Sequence, residues 1–178
     1  MKIAMIAGSN HSQSTSTALC RYIGKVLESK GHEAVLFDVY RKPLPMYTND
    51  RDDSEHVHVA ELRRLLLESD GVVLATPEYH GAPSGALKNA LDFTGFDHFN
   101  GKVVLSVSSA GGAVGVSSLQ QLQTIVRNVH GINCPEWISI GADQRRMNEQ
   151  GEPEDAKTRE RVQRTVDYFV SMIEKFKA

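Results

Sequence analysis

Five hydroxyl side chains fall within eight residues of this chain: Ser9, Ser12, Ser14, Thr15 and Ser16. They belong to the stretch Gly8-Ser9-Asn10-His11-Ser12-Gln13-Ser14-Thr15-Ser16, which leads from an apolar run into a helical pattern. A loop entering a helix presents unpaired N–H groups, and these attract an anion. Hydroxyls add hydrogen bonds to the anion's oxygens. The loop is neither a GxGxxG dinucleotide turn nor a Walker A loop, which needs GK[ST]. A pyrophosphate or triphosphate is therefore disfavoured, and a single terminal phosphate fits. Ser and Thr also favour helix starts for their own sake, so a plain N-cap accounts for the same residues.

Two more stretches suit a flat ligand. Pro77-Glu78-Tyr79-His80-Gly81, running on to Ala82-Pro83-Ser84-Gly85, sets a tyrosine and a histidine beside two glycines. That offers an aromatic wall and close backbone approach. A turn capped by Ser84 is the simpler account of the same residues. Ser108-Ser109-Ala110-Gly111-Gly112-Ala113-Val114-Gly115 is rich in small residues, against which a ring system can pack. A flexible linker reads the same way. Hydrolase chemistry at Ser9 or Ser84 is excluded, because the chain has no G-x-S-x-G elbow. Gly8-Ser9 and Pro77-Glu78 stand where a receiver domain needs its acidic cluster and its phosphoacceptor Asp. No side chain is given a committed acid or base role; Tyr79 and His80 read as packing residues ahead of proton donors to a reduced acceptor, and Glu78 as structural.

The elements that must bring these stretches together are legible from periodicity. Strands are expected at residues 2–7, 34–39, 71–76, 102–107 and 132–140, with Pro77 ending the third. The first helix runs from Thr15 to Ser29, with Gly31 as its stop. Leu62, Leu65 and Leu66 mark a second helix, Leu87, Ala90 and Leu91 a third. Leu119, Leu122 and Val126 mark a fourth, Val162, Val166, Phe169 and Ile173 the last. Strands apolar on consecutive positions belong to a parallel sheet covered on both faces. Five strands alternating with five helices make an α/β three-layer sandwich. Two strand orders are open: flavodoxin-like 2-1-3-4-5, or half of a Rossmann fold. Pro135 favours the first, which leaves the fifth strand at an edge. In such a sheet, ligands bind beyond the carboxyl ends of the strands at the switch point. The loops after strands one, three and four are then neighbours. Residues 1–178 read as one domain.

Composition narrows the partners. The formal charge is −2, so there is no basic footprint for nucleic acid. No apolar run reaches the roughly 20 residues of a membrane span, and the run before Gly8 is too short for a signal peptide. Cys20 and Cys134 form no CxxC pattern. They read as two reduced thiols, which makes the cytoplasm the expected location.

The stretch Asp70 to Phe93, DGVVLATPEYHGAPSGALKNALDF, resembles the flavin motif of the NADPH-dependent FMN reductase family, and within it the bacterial azobenzene reductases. Gly8, Ser9 and Ser14 are similar to that family's G-S-x-R-x-x-S phosphate motif, and Ala110-Gly111-Gly112 has its counterpart there. The resemblance implies a flavodoxin-like fold, FMN as cofactor, NADPH or NADH as donor, and a homodimer or homotetramer. It implies two-electron, ping-pong transfer to a small-molecule acceptor: a quinone, an azo compound or free flavin. By the same resemblance Ser9, Ser14 and Ser16 hold the FMN phosphate, with Thr15 and His11 in the same cradle. Pro77, Glu78, Tyr79 and His80 line the isoalloxazine. Ser109, Gly111 and Gly112 approach its other edge. The family's usual arginine falls on His11 here, so either His11 binds the phosphate and weakens as it loses its proton, or it faces solvent and the serines suffice. Arg145 and Arg146 are either candidates for the NADPH phosphate or a solvated pair. The competing reading is a flavodoxin-type electron carrier that does not oxidise NAD(P)H directly.

Overall fold

The computed structural model describes residues 1–177. Among these, seven strands form the sheet: β1 (Lys2–Ala7), β2 (Glu33–Asp38), β3 (Gly71–Tyr79), β4 (Ala82–Pro83), β5 (Val103–Ala110), β6 (Ile132–Asn133) and β7 (Ile138–Gly141). The helices are α1 (Thr15–Ser29), α2 (Val57–Glu68), α3 (Gly85–Asp92), α4 (Phe96–Phe99), α5 (Val116–Asn128) and α6 (Ala156–Lys177), with a 3-10 turn at Ala142–Arg145.

The hydrogen-bonded order is β2-β1-β3-β5-β6, with β4 paired to β3 and β7 to β5. All ladders are parallel except that between β3 and β4. The expected parallel α/β sandwich is present, but five strands in the order 2-1-3-4-5 is not the count observed. A hairpin after Tyr79 adds β4, and Pro135 splits the fifth strand in two. Pro135 has no N–H to donate, and the expected strand 132–140 breaks around it. β6 covers Val103 and Val104, and β7 resumes opposite Val107. Both pieces lie at the sheet edge, where the sequence placed them.

Pro77 does not end β3, which continues to Tyr79. The Ala75 carbonyl faces β1, accepting the Gly8 N–H at 2.8 Å. Backbone groups two residues apart point the same way, so the missing Pro77 N–H faces the side that β1 has already left. The other side still pairs, Pro77 with Ser109. β5 likewise runs on to Ala110, because β7 pairs it as far as Gly141. Ser108 to Ala110 are strand rather than loop. The unexpected α4 is a single turn, too short to show a period.

Successive strand residues serve opposite faces. Ile3, Met5, Val73, Leu105 and Val107 pack under α1 and α6 with Leu19, Ile23, Phe169 and Ile173. Ala4, Ile6, Val72, Leu74 and Val104 pack under the remaining helices with Leu62, Leu66, Leu87, Leu122 and Phe99. Each fully buried Leu, Ile or Phe contributes about 1.5–3 kcal/mol by leaving water. α1 begins at its Ser14 N-cap and ends where expected. Gly31 (φ +80) donates to Glu28 O and His32 N–H to Leu27 O, the two bonds of a Schellman stop.

Candidate functional site

The chain leaves β1 for β2 on one side and returns to β3 on the other. A crevice therefore opens beyond the carboxyl ends of β1, β3 and β5. A cavity of about 370 Å³ lies there, within the usual range for a small-ligand pocket.

The hydroxyl loop forms one end. Ser9 and Ser16 are buried, Ser14 and Thr15 half-buried, and all four line the cavity with His11 and Gln13. Ser14 Oγ accepts the Thr17 N–H at 3.2 Å, so the N-cap reading holds. Capping does not exhaust the loop. Ser9 Oγ accepts the His11 N–H at 3.2 Å, and Ser14 and Ser16 Oγ stand 2.9 Å apart. A hydroxyl whose oxygen accepts a backbone N–H still has its proton to donate. Among the described residues, no acceptor meets the Thr15 or Ser16 N–H, the orphan donors of the first helical turn. His11 Nδ1 accepts the Gln13 N–H at 3.1 Å, which leaves Nε2 as its donor.

The other wall comes from β3 and β5. Pro77, Glu78, Tyr79, Ser109 and Gly111 line the cavity. Glu78 also has a structural task. Its Oε2 accepts the Ser118 N–H at 2.8 Å and caps α5, whose Gly115 has no side chain for the task. Tyr79 is 47% exposed.

His80 and Gly112, expected at the cofactor, do not line the cavity. His80 (φ +52) and Gly81 (φ +74) are the two corners of a tight turn between β3 and β4. Both central residues at positive φ make it the primed hairpin type, and His80 is carried outward, exposed. Gly112 spends its carbonyl on the Ala142 N–H at 3.0 Å.

Of the two arginines weighed for the NADPH phosphate or as a solvated pair, Arg145 lines the cavity. Its Nη2 stands 3.5 Å from Thr15 Oγ1. Its neighbour Arg146 points elsewhere, paired with Asp143 at 2.8 Å.

The walls are tied together by short polar links. Ser84 Oγ donates to the Gly8 carbonyl and accepts the Leu87 N–H at 3.0 Å, capping α3 as expected. Its own N–H donates to Thr76 Oγ1 at 2.9 Å. A side chain on Gly8 would collide with Leu87, so only glycine lets β1 end against α3. Ser108 Oγ donates to Gly115 O at 2.6 Å, and Gly115 N–H donates to Ser139 Oγ at 2.8 Å, closing the loop after β5.

Beside this site lies a second hollow of about 290 Å³ between Val39, Leu44, Met46 and Ala86, reaching Asn10. It places the Pro-rich segment after β2 next to the first loop. Among the described residues no group of three or more His, Cys, Asp or Glu could hold a metal ion.

Comparison with known proteins points the same way. The family model for NADPH-dependent FMN reductase matches residues 1–145. The chain is 34% identical over 179 residues to an FMN-dependent NADPH-azoreductase of Staphylococcus aureus, covering 97% of this chain and 95% of that protein. It is similar to the flavoenzyme NAD(P)H:(acceptor) oxidoreductase FerB of Paracoccus denitrificans, with a TM-score of 0.83 at 25% identity over 98% of each chain. An NADH:FMN oxidoreductase structure shares the fold, with a TM-score of 0.76 at 18% identity, over 96% of this chain and 89% of that one.

Proposed function

This chain belongs to the NADPH-dependent FMN reductase family, and from that premise we propose that it is an FMN-dependent NAD(P)H oxidoreductase that reduces azo compounds, quinones or free flavin. The single observation that carries the reading to this molecule is the cavity. It holds an anion cradle at one end and a small-residue and tyrosine wall at the other.

The residues fit the cofactor. Hydroxyl protons from the Ser9–Ser16 loop, the Thr15 and Ser16 N–H groups and the Arg145 guanidinium are all donors suited to a phosphate. Glu78 is the one acidic residue lining the cavity, and its Oε2 accepts the Ser118 N–H. A Cβ on Gly111, which lines the cavity, would meet only Arg145 Nη1 at 4.0 Å, so the backbone there leaves open space for a ring edge.

Bound FMN supplies the two-electron chemistry between nicotinamide and acceptor. The chain's own residues bind and orient. Ser9, Ser14, Ser16 and Thr15 hold the phosphate end. Pro77, Tyr79, Ser109 and Gly111 would line the ring end. Half-exposed Tyr79 would border the place that donor and acceptor occupy in turn. No side chain is required to hold or move a proton.

Oligomeric state, location and domain extent belong to the same proposal. Met46 (78% exposed), beside the second hollow, and Val114 (59%) are exposed apolar residues suited to contact with a second copy in a homodimer or homotetramer. Two buried free thiols suit a reducing cytoplasm. No described helix is long and apolar enough to cross a membrane. One sheet serving both cores supports residues 1–178 as one FMN-binding unit.

The test mixes purified protein, FMN and NADPH without oxygen and follows flavin absorbance. Bleaching at a rate that saturates with NADPH, then recolouring on adding an azo dye or quinone, is expected. Bound flavin that NADPH and NADH both fail to bleach would leave a flavodoxin-type carrier instead.

A further inference from the structure

We propose that Arg145 is the cation of the cofactor-phosphate site, delivered from the turn after β7 rather than from the loop that supplies the hydroxyls. The inference rests on the reading that the cavity holds FMN, and it names a binding residue that neither the family match nor the motif pattern assigns.

The hydroxyl loop carries no lysine or arginine; its basic residue is His11. His11 Nδ1 is already an acceptor for the Gln13 N–H, so the ring serves that anion site as an Nε2–H donor rather than as a fork of permanent charge. Arg145 is the one residue lining the cavity whose charge is permanent and positive. Among the described residues no carboxylate lies within ion-pair distance of it, whereas Arg146 beside it is paired with Asp143. Its guanidinium spans the cavity's polar end, with Nη2 3.5 Å from Thr15 Oγ1 and Nη1 4.0 Å from where a Gly111 side chain would begin.

The backbone that carries Arg145 is held in an uncommon conformation. Ala142 opens the 3-10 turn at φ +44, a left-handed value that costs a residue with a Cβ. Its N–H is bonded to Gly112 O at 3.0 Å. Gly141, at an ordinary φ of −146, packs so closely that a Cβ there would run into the carbonyls of Gly112 and Ala113. The turn is thus pinned onto the loop after β5, and that pinning aims Arg145 across the crevice. Strain kept in place by surrounding contacts is a mark of functional segments.

The test measures dissociation constants by flavin fluorescence quenching, for FMN and for riboflavin, which lacks the phosphate. The proteins are wild type, Arg145→Ala, Arg145→Lys and His11→Gln, each first checked for native circular dichroism. Losing a charge-assisted contact should weaken FMN by about 10- to 100-fold in Arg145→Ala. Riboflavin affinity should stay near wild type, Arg145→Lys should recover part of the loss, and His11→Gln should lose less than Arg145→Ala. Unchanged FMN affinity in Arg145→Ala, equal losses for FMN and riboflavin, or a larger loss in His11→Gln would each overturn the assignment. So would a second pattern, FMN affinity intact while the NADPH-over-NADH preference in kcat/KM collapses, which would give the guanidinium to the nicotinamide nucleotide's phosphate. A wild type that binds no FMN would overturn the proposed function, and this inference with it; binding by the wild type with no effect in the variants would overturn only the inference.

Discussion

Glu78 shows how a residue inside a flavin-like motif serves the frame. It lines the cavity, yet its carboxylate caps α5 through the Ser118 N–H. A carboxylate at a helix N-terminus gains from both the hydrogen bond and the helix dipole. Glu78→Ala should therefore cost about 1 kcal/mol, or about 2–4 °C in Tm for a chain of this size. Glu78→Gln keeps an acceptor and should recover most of that. Thermal melts of the two variants check the prediction; equal losses would mean that charge, not capping, is what Glu78 provides. The two cysteines have no chemistry to offer. Burial pushes the Cys20 thiol up to about 12 and the Cys134 thiol to about 11, so neither forms a thiolate near neutral pH.

Among the elements, the turns beyond the strand ends decide where functional groups go, and two glycines there act for opposite reasons. Gly81 sits at φ +74 with nothing closer to a new Cβ than Ser117 Cβ at 3.8 Å. Gly81→Ala should cost about 1–2 kcal/mol of backbone strain and leave FMN affinity near wild type. Gly141 has an ordinary backbone but no room. Gly141→Ala should cost about 1–3 kcal/mol as the 3-10 turn is pushed off Gly112, and it should weaken FMN binding because Arg145 moves with that turn. Urea midpoints and FMN dissociation constants measured on both variants separate the two causes. FMN binding unaffected in Gly141→Ala would mean that the turn's position does not matter to the site.

Across the whole molecule, the end of the sheet remote from the cavity is where strands and last helix are locked together. Asp70, at the entry to β3, accepts the Lys2 N–H at 2.8 Å and the Lys177 ammonium at 2.7 Å, joining β1, β3 and α6. Burial pushes its carboxyl up, but the bond from Lys177, the Lys2 N–H and the Lys177 charge outweigh that and hold it below the ordinary carboxylate range. A group held lower in the folded state adds stability above its unfolded value of about 3.9 and loses it as pH falls through the folded value. Asp70→Asn should be less stable than wild type at pH 7 by about 1–2 kcal/mol, with the gap closing below about pH 4. Urea titrations at several pH values test this. A gap that stays constant down to pH 3 would assign the loss to packing and not to charge.

Local patterns in the chain were enough to determine the α/β class, the first helix from Thr15 to Ser29 with Gly31 as its stop, the edge position of the strand at Pro135 and three loops meeting at one end of the sheet. Each is a short-range consequence of periodicity, capping or a missing N–H. Ten of the twelve expected cofactor residues surround the cavity because alternation and strand order leave those loops nowhere else to go. Tertiary structure alone decided the rest. Pro77 stays in its strand because β1 ends before reaching it, and Ser108 to Ala110 are strand because β7 pairs with them. His80 turns outward because the hairpin puts it at a corner, and Glu78 meets an α5 that begins nearly forty residues later. Arg145 reaches Thr15 across 130 residues of chain. No local pattern encodes such a contact, because it depends on how closely Gly141 lets two backbones approach.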